Sequence, residues 1–151
     1  MPCEEFDYLN LVNVREGDVM PNSFLAVPVG LTHKLFRFSG IICHNFVGQS
    51  GDWRRYTATV TLPNMGLNWV SASQVDPSQN RLAFEHGAAT VFLASISNND
   101  NTVNAGWAVD RVIAGVTEDH LSLRISLAVR DSDGFIARLG YRLDILARTS
   151  L

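Results

Sequence analysis

Two long runs of alternating apolar and polar residues near the C-terminus constrain this chain more than any other feature. In residues 121–130 the apolar positions are Leu121, Leu123, Ile125, Leu127 and Val129. In residues 135–148 they are Phe135, Ala137, Leu139, Tyr141, Leu143, Ile145 and Ala147. Successive side chains of a strand point to opposite faces, so each run predicts a strand with one buried and one solvated face.

The segment Asp131-Ser132-Asp133-Gly134 separates these runs and has the composition of a tight turn. An Asp-Gly turn between two alternating runs is a strong signal for a β-hairpin. We therefore expect residues 121–147 to form one long hairpin. The pattern predicts the following side chains to be buried: Leu123, Ile125, Leu139 and Leu143. It predicts that Arg124 and Arg142 are exposed.

The rest of the chain also reads as short strands separated by turns. Strands are predicted at residues 6–14, 24–29, 34–43, 55–62, 67–73, 88–96 and 107–116. Pro28 marks an edge strand because proline has no N–H to donate, and Gly40 marks a bulge. Residues 88–96 are apolar at nearly every position, which is typical of a strand buried on both faces.

About nine strands with regular spacing, and no helix longer than a turn, predict an all-β protein. We expect an antiparallel β-sandwich, of jelly-roll type or similar. The 151 residues form one domain in this interpretation, with residues 1–20 as an N-terminal arm.

The charge content of the chain is low, at 18% of residues. A domain with so little charge often covers part of its surface with a partner, so we expect a homo-oligomer. The net charge of −3 gives no attraction to nucleic acid, so no nucleic-acid partner is expected. No apolar run has the roughly 18 residues of a membrane span, so membrane insertion is not expected either.

The sequence contains no pattern that indicates catalysis or a bound cofactor. The four histidines lie at no metal or triad spacing, and there is no nucleophile elbow or phosphate-binding loop. Asp131-x-Asp133-Gly134 lacks the remaining ligands of a calcium loop. We therefore expect no enzyme, no cofactor and no metal. Cys3 and Cys43 form either a disulfide or, as we favour, two free thiols.

The first residues, Met1-Pro2-Cys3-Glu4-Glu5, are acidic and no apolar segment follows them. This is unlike a secretory signal, so we expect that the chain is made in the cytoplasm or that it is a mature form whose signal has been removed. Two features are suited to binding. Residues 98–104 are rich in Asn, whose amide offers both donors and acceptors to sugar hydroxyls. Trp53 lies in a loop-like segment and is the tryptophan best placed for exposure; core packing is the alternative for each tryptophan.

The second half of the chain contains a series of spaced residues and segments: Phe84, Val91, Ser95-Ile96, Asp100, Val116-Thr117, Leu121, Val129-Arg130-Asp131-Ser132 and Ile145-Leu146-Ala147. Through this series residues 84–147 resemble the H-type lectins, a family of invertebrate and slime-mould agglutinins. The resemblance implies a six-stranded sandwich core, a trimer and carbohydrate recognition at subunit edges. Two family positions differ, because the sugar-contacting aromatic falls on Val129 and the family's arginine falls near Trp107-Ala108.

These observations lead to two hypotheses of different classes. The first is a non-catalytic, lectin-like binding module that acts as a homotrimer. Its expected carbohydrate-binding residues are Arg130, Asp131 and Ser132, with Trp107 as a platform for a sugar ring. The second is a structural protein of a virus or phage particle, such as a decoration, fibre or baseplate component, whose partners are other virion proteins. Low charge and an N-terminal arm suit the second hypothesis.

Overall fold

The fold is built almost entirely from β-strands. The computed structural model describes residues 7–49, 51–71, 81–98, 106–130 and 134–149. The strands in these ranges are β1 Asn10–Val14, β2 Val19–Val29, β3 His33–Val47, β4 Arg54–Thr61, β5 Trp69–Ser71, β6 Leu82–Asn98, β7 Gly106–Thr117, β8 His120–Arg130 and β9 Gly134–Arg148. One 3-10 turn, Glu16–Asp18, joins β1 to β2. No helix among the described residues is long and apolar enough to cross a membrane.

The strands form two sheets. Sheet A has the order β1-β4-β8-β7, and sheet B has the order β2-β3-β9-β6-β5. The predicted all-β sandwich of about nine strands is confirmed. Two pairings, β1 with β4 and β5 with β6, are parallel, which the antiparallel expectation did not include. The predicted N-terminal arm begins outside the described residues, and its residues 10–14 form the edge strand β1.

The core lies between the sheets and consists of alternate side chains from each. Leu123, Ile125, Leu139 and Leu143 all have 0% of their surface exposed. Arg124 and Arg142 are exposed, so the predicted alternation is confirmed in both strands. The aromatic rings of Phe36 and Phe38 pack edge-on against Trp69, which is 1% exposed. Trp69 is therefore a core residue.

The predicted hairpin of residues 121–147 is wrong, although its two strands are correct. β8 pairs with β4 and β7 in sheet A, whereas β9 pairs with β3 and β6 in sheet B. The two strands are therefore consecutive in sequence but belong to different sheets. Alternation records which side chains face the core, and it is the same whether two strands lie side by side or face each other. A neighbouring hairpin does form, between β7 and β8, where Thr117 lies opposite His120.

The expectation that residues 88–96 are buried on both faces is also wrong. Phe92, Leu93 and Ile96 are 52%, 38% and 46% exposed. Among the described residues β5 pairs with β6 only from Leu82 to Phe84, so no described strand lies beside the remainder of β6 on that side. The aromatic ring of Phe92 lies on Gly140 of β9, in the space a side chain there would need.

The edge position of β2 is confirmed, and the strand is longer than predicted. Gly40 lies at the predicted irregularity, but the extra residue is on β2, between Pro21 and Ser23. A Cβ at Gly40 would lie 2.6 Å from the Tyr141 hydroxyl, so only glycine leaves room for that ring. Burial raises the pKa of Tyr141 to about 12. Cys43 of β3 is a free, half-buried thiol, as favoured from the sequence, and Cys3 lies outside the described residues.

We expect Ile125→Ala to lower the free energy of unfolding by roughly 2–5 kcal/mol, because truncation of a fully buried side chain leaves a cavity in the core. Chemical denaturation followed by tryptophan fluorescence measures the change. As a control, Arg138→Ala removes an exposed side chain from the outer face of sheet B and should change the value by less than about 0.5 kcal/mol. Equal losses in the two variants would contradict the assigned inner face of β8.

Candidate functional site

The outer face of sheet A departs from the polar composition expected of a solvated sheet. Most outward positions of β8 are polar, but Ala128 is the exception and is only 6% exposed. On its two neighbouring strands Ala128 lies opposite Arg55 and Ala108. The short side chains of Ala108 and Ala128 leave a depression in the outer surface of the sheet at this point, and the larger side chains around them form its walls.

A β-bulge in β7 places two consecutive side chains on this outer face. Val109 lies opposite Leu127 and Arg111 lies opposite Ser126, so Asp110 is the extra residue. Trp107 and Val109 pack against the core before the bulge, and Val112 and Ala114 do so after it. Both Asp110 and Arg111 therefore line cavities on the outer face. Bulges often re-aim side chains next to functional sites.

Tyr8, which precedes β1, crosses this face of sheet A and is held at its backbone and at its side-chain hydroxyl. The Thr57 hydroxyl donates to the backbone carbonyl of Tyr8 at 2.8 Å, and the Tyr8 hydroxyl donates to Asp110 Oδ2 at 2.9 Å. The Asn10 amide donates to the carbonyl of Arg55 at 2.8 Å. Tyr8 therefore spans the sheet from β4 to β7.

Trp53 forms the second aromatic wall. Its backbone N–H donates to Asp52 Oδ1 at 2.7 Å, which fixes the approach to β4. The indole lies over Gly106 at the start of β7, where an added Cβ would be 2.5 Å from the ring. Trp53 is half-buried, and the structure places this loop-like tryptophan on the outer face of sheet A.

Two adjoining cavities result, and Tyr8 lines both. The first, which we name the alanine groove, has a volume of about 230 Å³ and is lined by Tyr8, Trp53, Arg55, Ala108, Val109, Asp110 and Ala128. The second, the arginine cavity, has a volume of about 380 Å³ and is lined by Asp7, Tyr8, Thr57, Arg111, Ile113, Arg124 and Ser126. Aromatic walls with a few convergent polar groups are typical of sites for small ligands.

The electrostatics of the site keep Tyr8 neutral. Partial burial raises the pKa of Tyr8, and the hydrogen bond to Asp110 and the negative charge of that carboxylate raise it further. The charge of Arg55 acts in the opposite direction and is the smallest effect. The phenol therefore remains a donor at neutral pH, and Asp110 remains oriented toward the alanine groove.

The structure places two of the four predicted carbohydrate-binding residues. Trp107 packs against the core, with its Nε1 buried and without an acceptor among the described residues. Arg130 is half-buried and lies opposite Gly106, the residue that the Trp53 indole covers. The backbone of Arg130 also forms an isolated β-bridge with Gln49. Asp131 and Ser132 lie outside the described residues, as do residues 99–104 of the Asn-rich segment. Arg130 is thus next to the alanine groove, and Trp107 is on the opposite face of its strand.

Sequence reasoning missed Tyr8, Arg55, Asp110, Arg111 and Arg124. One signal for them was present. In residues 107–116 the positions that pack against the core change from odd numbers, Trp107 and Val109, to even numbers, Val112, Ala114 and Val116. This change of phase marks the bulge, although the apolar Ala108 and Ile113 obscure it in the sequence. The alanine at position 128, among polar outward residues, was a second signal. Nothing in the sequence indicated that Tyr8 would lie against β7.

Two of the four histidines, His33 and His120, contact carboxylates away from this site. His33 Nε2 lies 2.9 Å from Glu85, and His120 lies 2.8 Å from Asp119 and 3.0 Å from Glu16. Both groups join segments distant in sequence. In the described part of the chain no cluster of His, Cys, Asp and Glu side chains has the arrangement of a metal site.

Comparisons with known proteins give no relative of this chain: no family model matches it, and no curated protein or solved structure is significantly similar.

We expect Gly106→Ala to displace the Trp53 indole, because the new methyl group would occupy the space of the ring. Trp53 lies at the surface and can move, so the free energy of unfolding should change by about 1 kcal/mol or less. The fluorescence emission of the folded protein reports the change in the indole's environment. Gly115→Ala is the matched control on the same strand and face, because its nearest neighbour is the Ser122 hydroxyl at 3.9 Å. Identical spectra for both variants would contradict the described position of Trp53.

Proposed function

We propose that this protein is a non-catalytic binding module that recognises carbohydrate on the outer face of sheet A. The observation that carries the proposal is the alanine groove, in which Tyr8 and Trp53 stand on either side of a floor made by Ala108 and Ala128. Aromatic side chains offer an apolar face to the C–H surface of a sugar ring. The small floor residues leave room for that ring between them.

The charged groups of the alanine groove supply the complementary polar contacts. The Asp110 carboxylate uses one oxygen to accept from Tyr8, and its other oxygen can accept from sugar hydroxyls. The Arg55 guanidinium lines the same groove and can donate to hydroxyl or ring oxygens. Because these groups lie on strands rather than on a loop, their geometry is largely fixed before a ligand binds.

Of the predicted tip residues, Arg130 lies two positions from Ala128 on β8 and on the same face as the alanine groove. We retain Arg130 as a rim residue of the groove. Asp131 and Ser132, which lie outside the described residues, stay predictions from the sequence. Such a shallow site is expected to bind with millimolar affinity, about −4 kcal/mol, so that several copies acting together would be needed for tight binding.

A homo-oligomer would supply those copies, and β2 provides the surface for it. Residues 19–29 contain no charged side chain, and Leu25, Val27 and Val29 are 54%, 44% and 46% exposed. Leu35 of β3, opposite Val27, extends the patch. A stable interface needs roughly 800 Å² per partner, less than a tenth of the 8941 Å² surface of this chain. We propose a second copy of the chain as the partner, with the trimer implied by the lectin resemblance as the assembly.

We expect Trp53→Ala to weaken sugar binding by roughly tenfold, about 1.4 kcal/mol, because it removes one aromatic wall. A glycan array with multimerised protein identifies the ligand, and calorimetry then compares the variants. Trp53→Phe keeps a ring and should retain most of the affinity. Phe92→Ala removes an exposed ring from sheet B and should leave binding unchanged. An array without any hit, or full affinity in Trp53→Ala, would refute the proposal.

We expect Val27→Glu to convert the homo-oligomer to monomers, because the carboxylate would be buried without a partner in the interface. Light scattering coupled to gel filtration should give a multiple of 16.7 kDa for the unmodified chain and 16.7 kDa for the variant. Thr90→Glu is the control, since it adds the same charge at an exposed position of β6. A monomeric unmodified chain would remove the oligomer from the proposal.

The apolar surface of β2 also favours the second hypothesis, a structural protein of a virus or phage particle. Such a protein would use the patch to join other virion proteins, and the alanine groove would have no ligand. Electron microscopy of the purified protein separates the two, because an assembly component is expected to form extended or shell-like particles. Small closed oligomers together with a glycan hit would favour the lectin-like module.

A further inference from the structure

The arginine cavity contains two guanidinium groups on neighbouring strands of sheet A. Arg111 of β7 lies opposite Ser126, and Arg124 of β8 lies opposite Ile113, so the two arginines are diagonal neighbours on the outer face. Both are exposed and both line the cavity. Within the described part of the chain neither forms an ion pair with a carboxylate. Like charges at this spacing repel each other and weaken the sheet.

Three of the four arginines in the described strands of sheet B show the contrasting arrangement; the fourth, Arg138, is exposed and forms no ion pair with a described carboxylate. On the outer face of sheet B Arg37 Nε lies 2.8 Å from Asp144, Arg142 Nε lies 3.7 Å from the same carboxylate, and Arg148 Nε lies 3.5 Å from Glu85. Each of these arginines therefore has an acidic neighbour supplied by the fold. Among the described residues no carboxylate forms an ion pair with Arg111 or Arg124, although the two arginines are diagonal neighbours on adjacent strands.

The rest of the cavity suits an acidic group. Ser126 offers a hydroxyl donor beside Arg111, whereas the Thr57 hydroxyl already donates to the carbonyl of Tyr8 and adds no donor. Asp7 also lines the cavity, forms no ion pair with either guanidinium among the described residues, and leaves an excess of one positive charge. Arginine presents a planar fork of donors that matches the oxygens of carboxylate and sulfate groups. An anion placed between Arg111 and Arg124 would remove their mutual repulsion.

We propose that the arginine cavity binds the acidic group of the ligand, and that the sugars recognised on sheet A are therefore acidic. This inference rests on the proposed function, since it identifies the ligand class of the same site. Tyr8 lines both cavities, so one ligand can place a sugar ring in the alanine groove and a carboxylate or sulfate in the arginine cavity. The shared chemistry is a ring that bears anionic oxygens.

Matched pairs of glycans test this on the full chain. Glucuronic acid against glucose, and sulfated against unsulfated galactose, are presented on the same linkers, and inorganic sulfate serves as the free anion. The unmodified protein should bind the acidic member at least roughly tenfold more tightly, as expected for a charge-assisted hydrogen bond. Arg111→Gln and Arg124→Gln should each reduce this preference by roughly tenfold and leave the weak binding of neutral sugars unchanged. Higher salt should reduce the preference as well.

Two kinds of control separate this inference from the proposed function. Arg138→Gln removes an exposed arginine from sheet B and should behave as the unmodified protein, and Arg124→Lys should recover only part of the preference because it loses the fork. Trp53→Ala should weaken acidic and neutral sugars alike. Equal binding of acidic and neutral sugars would overturn the acidic-ligand inference and leave carbohydrate recognition intact. If no sugar binds but sulfate does, in a manner lost in Arg124→Gln, the anion site stands and carbohydrate recognition fails. If neither binds, both are refuted.

Discussion

The packing of two sheet faces against each other determines most of this structure. Every strand contributes to one core, although β2 does so only through Val19 and β5 only through Trp69. The fully buried residues of β8 and β9 face each other across this core. β8 lies inside sheet A, with β4 and β7 on either side, so its backbone is hydrogen-bonded along both edges. The outward side chains of β8 therefore stand on the most constrained part of the fold. Binding groups placed there lose little further freedom when a ligand arrives.

Alternation in the sequence predicted the strands and their buried faces but not their partners. Residues 121–130 and 135–148 each bury the predicted side chains, yet they lie in different sheets. A period of two identifies the inner face of a strand and contains no information on which strand lies beside it. The Asp-Gly sequence favoured two strands that are hydrogen-bonded neighbours in one sheet, but a connection of the same length can also join strands of two different sheets. The apolar residues of β6 were similarly interpreted as buried on both faces. Composition alone does not show that β5 pairs with β6 at only three positions among the described residues.

The candidate site was predictable only in part, and for a related reason. Trp53 was identified from its loop-like surroundings, and Arg130 from the lectin resemblance. Asp110 and Arg111 were not, because a strict alternation through β7 would place one of them in the core. The bulge changes the phase of the strand and turns both outward. Tyr8 reaches the site through contacts with residues 49 and 102 positions away in the chain, which no local pattern records.

The bulge also explains why the two cavities differ in charge. Asp110 is turned toward the alanine groove, where it accepts from Tyr8 and faces the same space as Arg55. Arg111, one residue later, is displaced toward Arg124 and away from that carboxylate. In a regular strand Asp110 and Arg111 would point to opposite faces of sheet A. Only one of the two cavities could then receive a charged side chain from this pair. One inserted residue therefore separates a balanced groove from a cationic cavity, with Tyr8 between them. The repulsion within the cationic cavity is tolerated because the core beneath it, formed by Leu123, Ile125 and Leu127, holds β8 in place.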